Sequence, residues 1–456
     1  MNTKNNGCIE HKKRVQVIFK DLASNSSEFY VKVEQFNYSN TEDYKIESVV
    51  LSILTEKIYK YDKETILNNE KDSVNQKVWI EDYCPFFVSV VIPITENNAS
   101  FFKKMDNNWV CAKFTESDEN QNNNVFSAFL ICSAPYLIMG QNKRIEINPN
   151  QGPYLFHGQN INDLTQKNYN PQKFNSCLTT PKNIESELNK AWNYKEYDYI
   201  DIYNLGHGNA DYIVSSKKRI LYDIGLPRSE LSLNSYKKTK SAFKKLKPNL
   251  VIISHWDTDH YRGCVYARNS IFDVMWIAPQ LDKTINTNLF RLAAYLKVKK
   301  KLMLVSRKQA GIFQVNSNNN LLKIRMGGGK GTSDYVSPKN REGLYIELLR
   351  RDNTSSILAG DVPYNSMDTN IFNKELTFLH VPHHCSKMKL DNLQKSIGGK
   401  YAIISSKLQP NGNYTDNSQH LVELKNKFKN VTHTSEKNTK ILSIRLRKIG
   451  ILEKRK

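Results

Sequence analysis

Four ligand-type side chains fall within six residues, directly behind a buried strand. No other feature constrains this chain as much. In Val251-Ile-Ile-Ser-His-Trp-Asp-Thr-Asp-His-Tyr-Arg-Gly263, the apolar and small residues Val251 to Ser254 read as the strand. The chain then presents His255, Asp257, Asp259 and His260, and Tyr261 to Gly263 turn it away. A strand end is a rigid mount, and imidazole together with carboxylate suits divalent Zn or Mn. The plain alternative is a polar loop rich in His and Asp. Four such groups at once, straight after a buried strand, weigh against it.

The chain has 456 residues, enough for two or three domains with cores of their own. Its net charge of +21 is uneven. Residues 1–200 carry 22 Lys and Arg against 25 Asp and Glu, whereas residues 201–456 carry 44 against 20. The ligand-rich half is therefore the basic half. A basic surface favours polyanions such as nucleic acid or nucleotides, although a solvated Lys-rich surface without a partner has the same composition. Cysteines stand at 8, 84, 111, 132, 177, 264 and 385, an odd count with no C-x-x-C. This argues for a reducing compartment and against a disulfide framework or a Cys-based zinc site. The first residues have no apolar core of a signal peptide. The uncharged stretch Asn124 to Asn142 contains Pro135 and reads as core strands, not a membrane span. The expectation is a cytoplasmic protein with no membrane contact.

Residues 1–145 read as a β-rich N-terminal domain of sandwich type. Strands are expected at Arg14–Lys20, Glu28–Glu34, Ile46–Tyr59, Lys77–Ile80, Pro85–Ile94, Trp109–Phe114 and Val125–Ile138. It carries no catalytic constellation, and recognition of a protein partner is its default role. Residues 146–196 read as a polar linker and a short helix from Asn183 to Tyr194, capped by Thr180 and begun by Pro181. Residues 197–456 form the second domain. Strands in hairpins (Tyr199–Tyr203, Tyr212–Ser215, Arg219–Asp223) give way to strands alternating with helices at Ser235–Leu246, Thr287–Leu296 and Leu421–Phe428. That order implies a mixed α/β architecture. The basic residues Lys454-Arg-Lys456 read as a tail. Met326-Gly-Gly-Gly-Lys-Gly-Thr-Ser333 fails the phosphate-loop pattern, because Gly331 follows Lys330, and reads as a Gly-rich loop near the site.

Three further sites share the placement of the first. Asp361 follows the strand in Leu358-Ala-Gly-Asp-Val362. His383 and His384 follow the strand in Phe378-Leu-His-Val-Pro-His-His-Cys-Ser386. His420, in Ser418-Gln-His-Leu421, stands at a helix start. Singly, each reads as a turn or a surface histidine; together they read as one site.

With these residues in order, the chain resembles the metallo-β-lactamase superfamily, and within it the hydrolase domain of ComEC-type competence proteins. The superfamily motif is H-x-H-x-D-H, and the ComEC-type form is H-x-D-x-D-H. Here it is His255-Trp-Asp257-Thr-Asp259-His260. The subgroup's D-V-G-Q-G-D-A turn is similar to Asn204-Leu-Gly-His-Gly-Asn-Ala210, and its I-D-G-G to Leu221-Tyr-Asp-Ile-Gly225. Its T-G-D is similar to Ala359-Gly-Asp361, and its H-H-G-S-K to His383-His-Cys-Ser-Lys387. The resemblance covers residues 197–448. The departures are His207 for Gln, Asn209 for Asp, Cys385 for Gly, and Ser-Gln-His420 in place of Gly-His-Pro-His. The channel of ComEC proteins is missing, so DNA uptake is not implied.

The resemblance implies a four-layer αββα sandwich with two divalent ions, Zn or Mn, at its edge. His255 and Asp257 would hold one ion and Asp259 and His260 the other. Asp361 would bridge, and His383 or His384, with His420, would complete the shell. Asp257 in place of His adds an oxygen ligand and leans the site toward Mn. Asp259 would orient the metal-activated water, Lys387 would offset phosphoryl charge, and His207 lies in a turn near the ions. The implied function is a phosphodiesterase or nuclease acting on nucleic acid. The alternatives are a hydrolase of a small substrate, such as a cyclic nucleotide, lactone or thioester, and a non-catalytic metal-binding scaffold. Cys264 and Cys385 read as small buried residues, since no base is paired with them by spacing.

Overall fold

Runs of β-branched and aromatic residues build three sheets, and the computed structural model shows how they are ordered. The described residues are 6–24, 28–38, 46–63, 87–95, 98–105, 108–116, 124–134, 137–148, 160–192, 197–203, 205, 208–215, 218–226, 243, 245–267, 269–283, 285–318, 320–328, 336–350, 352–406, 416–435, 441–445 and 452–455. The expected strand at Lys77–Ile80, the expected helix at Ser235–Leu246, His207 and most of the Gly-rich loop lie outside them.

The first sheet closes on itself. Strands β1 (Phe29–Tyr38), β2 (Ile46–Leu54), β3 (Phe87–Pro93), β4 (Val110–Thr115), β5 (Val125–Ala134) and β6 (Leu137–Asn148) form an antiparallel barrel in the order β1-β2-β3-β5-β6-β4. The two-sheet sandwich expected from these segments is thus corrected to a barrel. β4 pairs both with β1 and with β6, which closes the ring and removes the free edges. A second correction concerns Arg14–Lys20, which is part of helix α1 (Asn6–Ala23). Val15, Ile18 and Leu22 are buried, spaced three and four apart. That helical stripe outweighs the short alternation on which the strand reading rested. Ile46–Tyr59 likewise divides into β2 and helix α2 (Glu56–Asp62), whose cap Thr55 accepts a hydrogen bond from the Ile58 amide.

Helix α3 (Pro181–Ala191) follows the polar stretch and begins as the sequence suggests: Thr180 accepts from the Asn183 amide and Pro181 opens the first turn. Next come β7 (Tyr199–Tyr203), β8 (Asp211–Val214), β9 (Arg219–Tyr222), β10 (Leu250–Ile252), β11 (Met275–Pro279) and β12 (Leu302–Val305), with helix α4 (Thr258–Tyr261) after β10 and helix α5 (Thr287–Val298) before β12. A third sheet contains β13 (Gln314–Asn316), β14 (Leu322–Met326), β15 (Leu344–Leu349), β16 (Ser355–Leu358), β17 (Leu376–His380), β18 (Gly399–Ile404) and β19 (Phe428–His433), in sequence order. Helix α6 (Pro338–Arg341) precedes β15 and helix α7 (Ser418–Lys427) precedes β19. β20 (Ile441–Arg445) and β21 (Leu452–Arg455) return to the second sheet, ordered β12-β11-β10-β9-β8-β7-β20-β21. The residues read as a basic tail therefore include an edge strand.

Strand alternation sorts the core. Ile200, Ile252 and Ile277 of the second sheet and Ile324, Ile346 and Phe378 of the third belong to one buried cluster, so the two sheets share an interior. Val251, Ile253 and Trp276 belong instead to a cluster with the barrel and with Leu289, Phe290 and Leu292 of α5. Ile357, Leu379 and Ile404 pack with Leu424 of α7. Each such buried Ile, Leu or Phe contributes about 1.5–3 kcal/mol relative to exposure. Tyr222 Oη, in the shared interior, donates to the Leu344 carbonyl at 2.8 Å and ties the sheets together.

The barrel docks on the second half through buried polar groups. Asn288 of α5 donates to Glu34 Oε2 and Ser89 Oγ, both at 2.9 Å, and accepts from the Val88 amide at 3.0 Å. Arg291, one helical turn on, forms a pair with Asp62 in which both side chains are fully buried; Tyr169 Oη also donates to Asp62, at 2.7 Å. Among the described residues no helix is long and apolar enough to cross a membrane.

Candidate metal centre

The strands of the second and third sheets that carry the motifs end side by side. β10 runs parallel to β9 and β11, and β16 parallel to β17, which runs parallel to β18. The carboxyl ends of parallel strands are where side chains from separate loops can converge. Past β10 stand His255 to His260, past β16 Asp361, and past β17 His383 and His384. The two sheets meet here, where the Leu344 amide donates to the Ser254 carbonyl at 2.8 Å; within the third sheet the His383 amide donates to the Gly360 carbonyl at 3.0 Å.

Asp361 is the hub. Its Oδ2 lies 3.5 Å from His255 Nε2 and 3.7 Å from His383 Nε2, while its Oδ1 lies 3.2 Å from His260 Nε2 and 3.9 Å from His384 Nε2. Asp257 Oδ2 is 3.4 Å from His255 Nε2, and Asp259 Oδ2 is 3.3 Å from His384 Nε2 and 3.5 Å from His260 Nε2. In each of two buried groups, His255–His260–Asp361 and Asp259–His260–His384, the ligand atoms lie within 4.8 Å of one another. The seven residues His255, Asp257, Asp259, His260, Asp361, His383 and His384 are thus brought together from three loops.

The donor set fits divalent ions. His255 Nε2, His260 Nε2 and Asp361 Oδ1 are buried and face one another, yet make no hydrogen bond. Buried polar atoms are almost always hydrogen-bonded, so a cluster of unsatisfied ones needs an ion or solvent to offset its burial. The other nitrogens are held from behind. His260 Nδ1 lies 2.8 Å from Asp223 Oδ2, and His384 Nδ1 lies 2.8 Å from the Ser405 carbonyl, which leaves each Nε2 turned inward. Ser254 donates through both its amide and its hydroxyl to Asp223, at 2.7 and 2.8 Å, so the carboxylate behind His260 is itself fixed.

The field at the site is strong. Burial alone would lower the pKa of His260, but the carboxylates of Asp361, Asp223 and Asp259 raise it well above the ordinary imidazole value. Burial would raise Asp361, but His260, His383 and His255 hold it well below the usual carboxylate range. A cation in the cluster would replace the proton that these carboxylates draw onto His260.

Backbone geometry serves the same end. The Asn209 amide donates to the Asp259 carbonyl at 3.0 Å and the Ile224 amide to the His260 carbonyl at 2.8 Å, so the turn and the D-I-G segment clamp the first motif. A Cβ on Gly225 would stand 1.5 Å from the Asp259 carbonyl oxygen, which only glycine avoids. His383, His384 and Cys385 all have left-handed φ, at 48°, 53° and 62°. Three consecutive non-glycine residues in that region store strain, as residues at functional sites do.

The other sequence-derived residues fall elsewhere. His420 is fully buried but its ring faces away from the cluster: Nε2 lies 2.8 Å from Tyr364 Oη and Nδ1 2.9 Å from the Ser386 carbonyl. Both nitrogens are engaged, and neither joins the described cluster. Burial, above all, lowers its pKa to about 4. Lys387 is half-buried, three residues past His384. Lys339 of α6 pairs with a cluster carboxylate, Asp257. Its neighbour Asn340 donates to Asp361 Oδ2 at 3.2 Å. Neither was singled out from sequence, and neither stands in a motif. Asp223 could have been: it ends a strand inside Leu221-Tyr-Asp-Ile-Gly225. A deeper chain also went unseen, in which Asp211 Oδ2 lies 2.7 Å from His380 Nδ1 and His380 Nε2 2.8 Å from Ser405 Oγ, beneath His384. Burial pushes the Cys264 and Cys385 thiols well up, away from thiolate.

No protein-family profile matches the sequence, and no curated protein matches it. Solved structures do show similarity. The metallo-beta-lactamase fold protein YhfI from Bacillus subtilis is 12% identical, over 52% of this chain and 96% of its own, with a TM-score of 0.30. The diiron beta-hydroxylase CmlA from Streptomyces venezuelae is 10% identical over 56% of this chain, with a TM-score of 0.32; the match spans 55% of CmlA. A long form RNase Z from yeast is 11% identical, over 71% of this chain and 51% of its own, with a TM-score of 0.30. Such scores are too low to carry an argument, and the reading below rests on the site.

Proposed function

We propose that the chain is a metal-dependent hydrolase with two divalent ions, and that it cleaves phosphodiesters of nucleic acid. The observation that carries the metal reading is the set of buried, mutually facing His and Asp atoms that lack hydrogen bonds, centred on Asp361. In this reading His255, Asp257 and His383 would hold one ion and Asp259, His260 and His384 the other, and Asp361 would serve both. Ions so held supply Lewis acidity toward a phosphoryl oxygen and activate water near neutral pH. The protein's own groups do the rest. Asp223 and the Ser405 carbonyl keep the Nε2 lone pairs of His260 and His384 turned inward. Asp259 would take the proton of the attacking water. Lys339 offsets the charge of Asp257.

The wider architecture supports this reading. Two sheets around a shared core, one backed by α7 and the other by α5, suit a four-layer αββα fold of metallo-β-lactamase type. Residues 197–456 would form that domain and residues 1–145 the β-rich one before it. The nucleic-acid part rests on the excess of 44 Lys and Arg over 20 Asp and Glu in residues 201–456, which suits a polyanion. A cytoplasmic setting fits the described cysteines at 111, 132, 177, 264 and 385, none of which is in a disulfide. Elemental analysis of the purified protein tests the metal reading. It is expected to find Mn or Zn, and to find it lost in Asp361→Ala. An apo protein whose melting temperature ignores both metals would contradict it.

A further inference from the structure

The stretch from His255 to Arg262 makes two sets of contacts. His255, Asp259 and His260 lie against Asp361 and the histidines of the cluster. Trp256, Tyr261 and Arg262 do not. Trp256 and Tyr261 meet edge to face, with ring centroids 6.0 Å apart. Tyr261 stands edge-on to Phe87 at 6.1 Å, and the Arg262 guanidinium lies 5.8 Å from the centre of the same ring. Arg262 Nη2 donates to Ser89 Oγ at 3.2 Å, and Tyr261 Oη to Glu34 Oε1 at 3.4 Å. Glu34 belongs to β1, and Phe87 and Ser89 belong to β3. The residues next to His260 are therefore seated on the barrel.

These contacts converge on Glu34. Its Oε2 accepts from Ser52 Oγ at 3.0 Å, from Ser89 Oγ at 3.2 Å and from Asn288 of α5 at 2.9 Å. With Tyr261 these donors fill the roughly four acceptor sites of a carboxylate. The backbone is irregular at this residue. Val33 pairs with Leu51 and Gln35 with Val50, so Glu34 is an extra residue in β1. Such a β-bulge gives up ladder pairing to re-aim a side chain, and here the side chain so aimed is the one that meets Tyr261 and α5. Asp259 and His260 stand on α4, a single turn of four residues. A turn that short does not hold its shape unaided. The Asn209 and Ile224 amides tie the Asp259 and His260 carbonyls, and the barrel ties the next two side chains, Tyr261 and Arg262.

Resting on the metal reading above, we propose that Glu34 and Ser89 of the barrel are positioning residues of the candidate metal centre, which hold Tyr261 and Arg262 and through them set where Asp259 and His260 stand. The barrel then helps to build the site. Neither residue touches a ligand atom of the cluster; each acts through the turn that carries two of the ligands.

Titration of the EDTA-stripped full chain with Co(II), followed by visible absorption, tests this. Co(II) takes the same nitrogen and oxygen ligands as Zn, and its absorption follows their geometry, which a general loss of stability leaves unchanged in the folded protein. Glu34→Ala is expected to weaken Co(II) binding about tenfold and to shift the absorption band. Glu34→Gln, which keeps an acceptor oxygen, is expected to bind within about threefold of wild type. Tyr261→Phe keeps the ring against Phe87 and removes the donor; it should weaken binding about threefold and shift the band, and it decides the matter should Glu34→Ala not fold. Ile147→Val trims a fully buried side chain of β6 and controls for barrel stability alone. Its urea midpoint should fall while its band and affinity stay those of wild type. The proposal is overturned if Glu34→Ala and Tyr261→Phe both keep the wild-type band and bind within about twofold of wild type, or if Ile147→Val moves the band as far as they do. A wild type that binds no Co(II) overturns the metal reading and the proposal with it. A wild type that binds Co(II) but leaves bis(p-nitrophenyl) phosphate and single-stranded oligonucleotide uncut with Mn or Zn overturns the phosphodiesterase reading alone.

Discussion

Asp223 and His420 show how far a single side chain's role depends on what stands behind it. Asp223 touches no candidate ion, yet its carboxylate fixes the Nδ1 of His260. Asp223→Ala should lower Mn or Zn affinity about 10–100-fold with the fold intact, as for other outer-shell partners. Isothermal titration checks this, and unchanged affinity would contradict the role. His420 sits at a motif position but is drawn onto Tyr364 and Ser386, and its pKa is lowered to about 4. The sign follows directly. Below an ordinary imidazole value of about 6.5 the unfolded chain takes up the proton first, so this stabilisation is full above that pH and lost toward pH 4. Urea unfolding should show a loss of up to about 2 kcal/mol between pH 7 and pH 5 that His420→Gln removes. Residues adjacent in sequence, such as His255 to His260, could be read directly as a site. Lys339 could not, because its partner Asp257 lies 82 residues away and no local pattern marks the pairing.

At the scale of elements, the strand ends of the second domain were legible because each couples an apolar run to a polar cluster. β10, β16 and β17 stand where the sequence puts them. The barrel was legible as strands but not as a closed ring, since closure depends on β4 pairing with both β1 and β6. Helix α1 was misread because Val15, Val17 and Phe19 alternate as well as Val15, Ile18 and Leu22 repeat; burial chooses the second set. The tightest contact between elements is Gly225 against the carbonyl of Asp259. Gly225→Ala should cost about 3 kcal/mol or more, because a backbone atom blocks the new Cβ and no side chain can yield. It should also release metal, since Asp259 must move. Chemical denaturation and elemental analysis check both, and a stable, metal-loaded variant would contradict the clamp.

At the scale of the molecule, the barrel and the half with the candidate metal centre are joined by charge as well as by apolar packing. Nothing in the sequence links Asp62 to Arg291, yet both are fully buried in one pair. Arg291→Ala leaves an uncompensated carboxylate and should cost about 3–5 kcal/mol, more than a surface ion pair ever does. Calorimetry of the wild type should show one cooperative transition, which Arg291→Ala moves down or splits. Two transitions in the wild type would mean independent halves. The most direct test of the whole reading is cleavage of a labelled single-stranded oligonucleotide by EDTA-stripped protein after addition of Mn or Zn, wild type beside Asp259→Ala. Strand scission is expected only with metal, and at least about a hundredfold slower in the variant. Cleavage that ignores the metal, or that Asp259→Ala leaves unchanged, would contradict it.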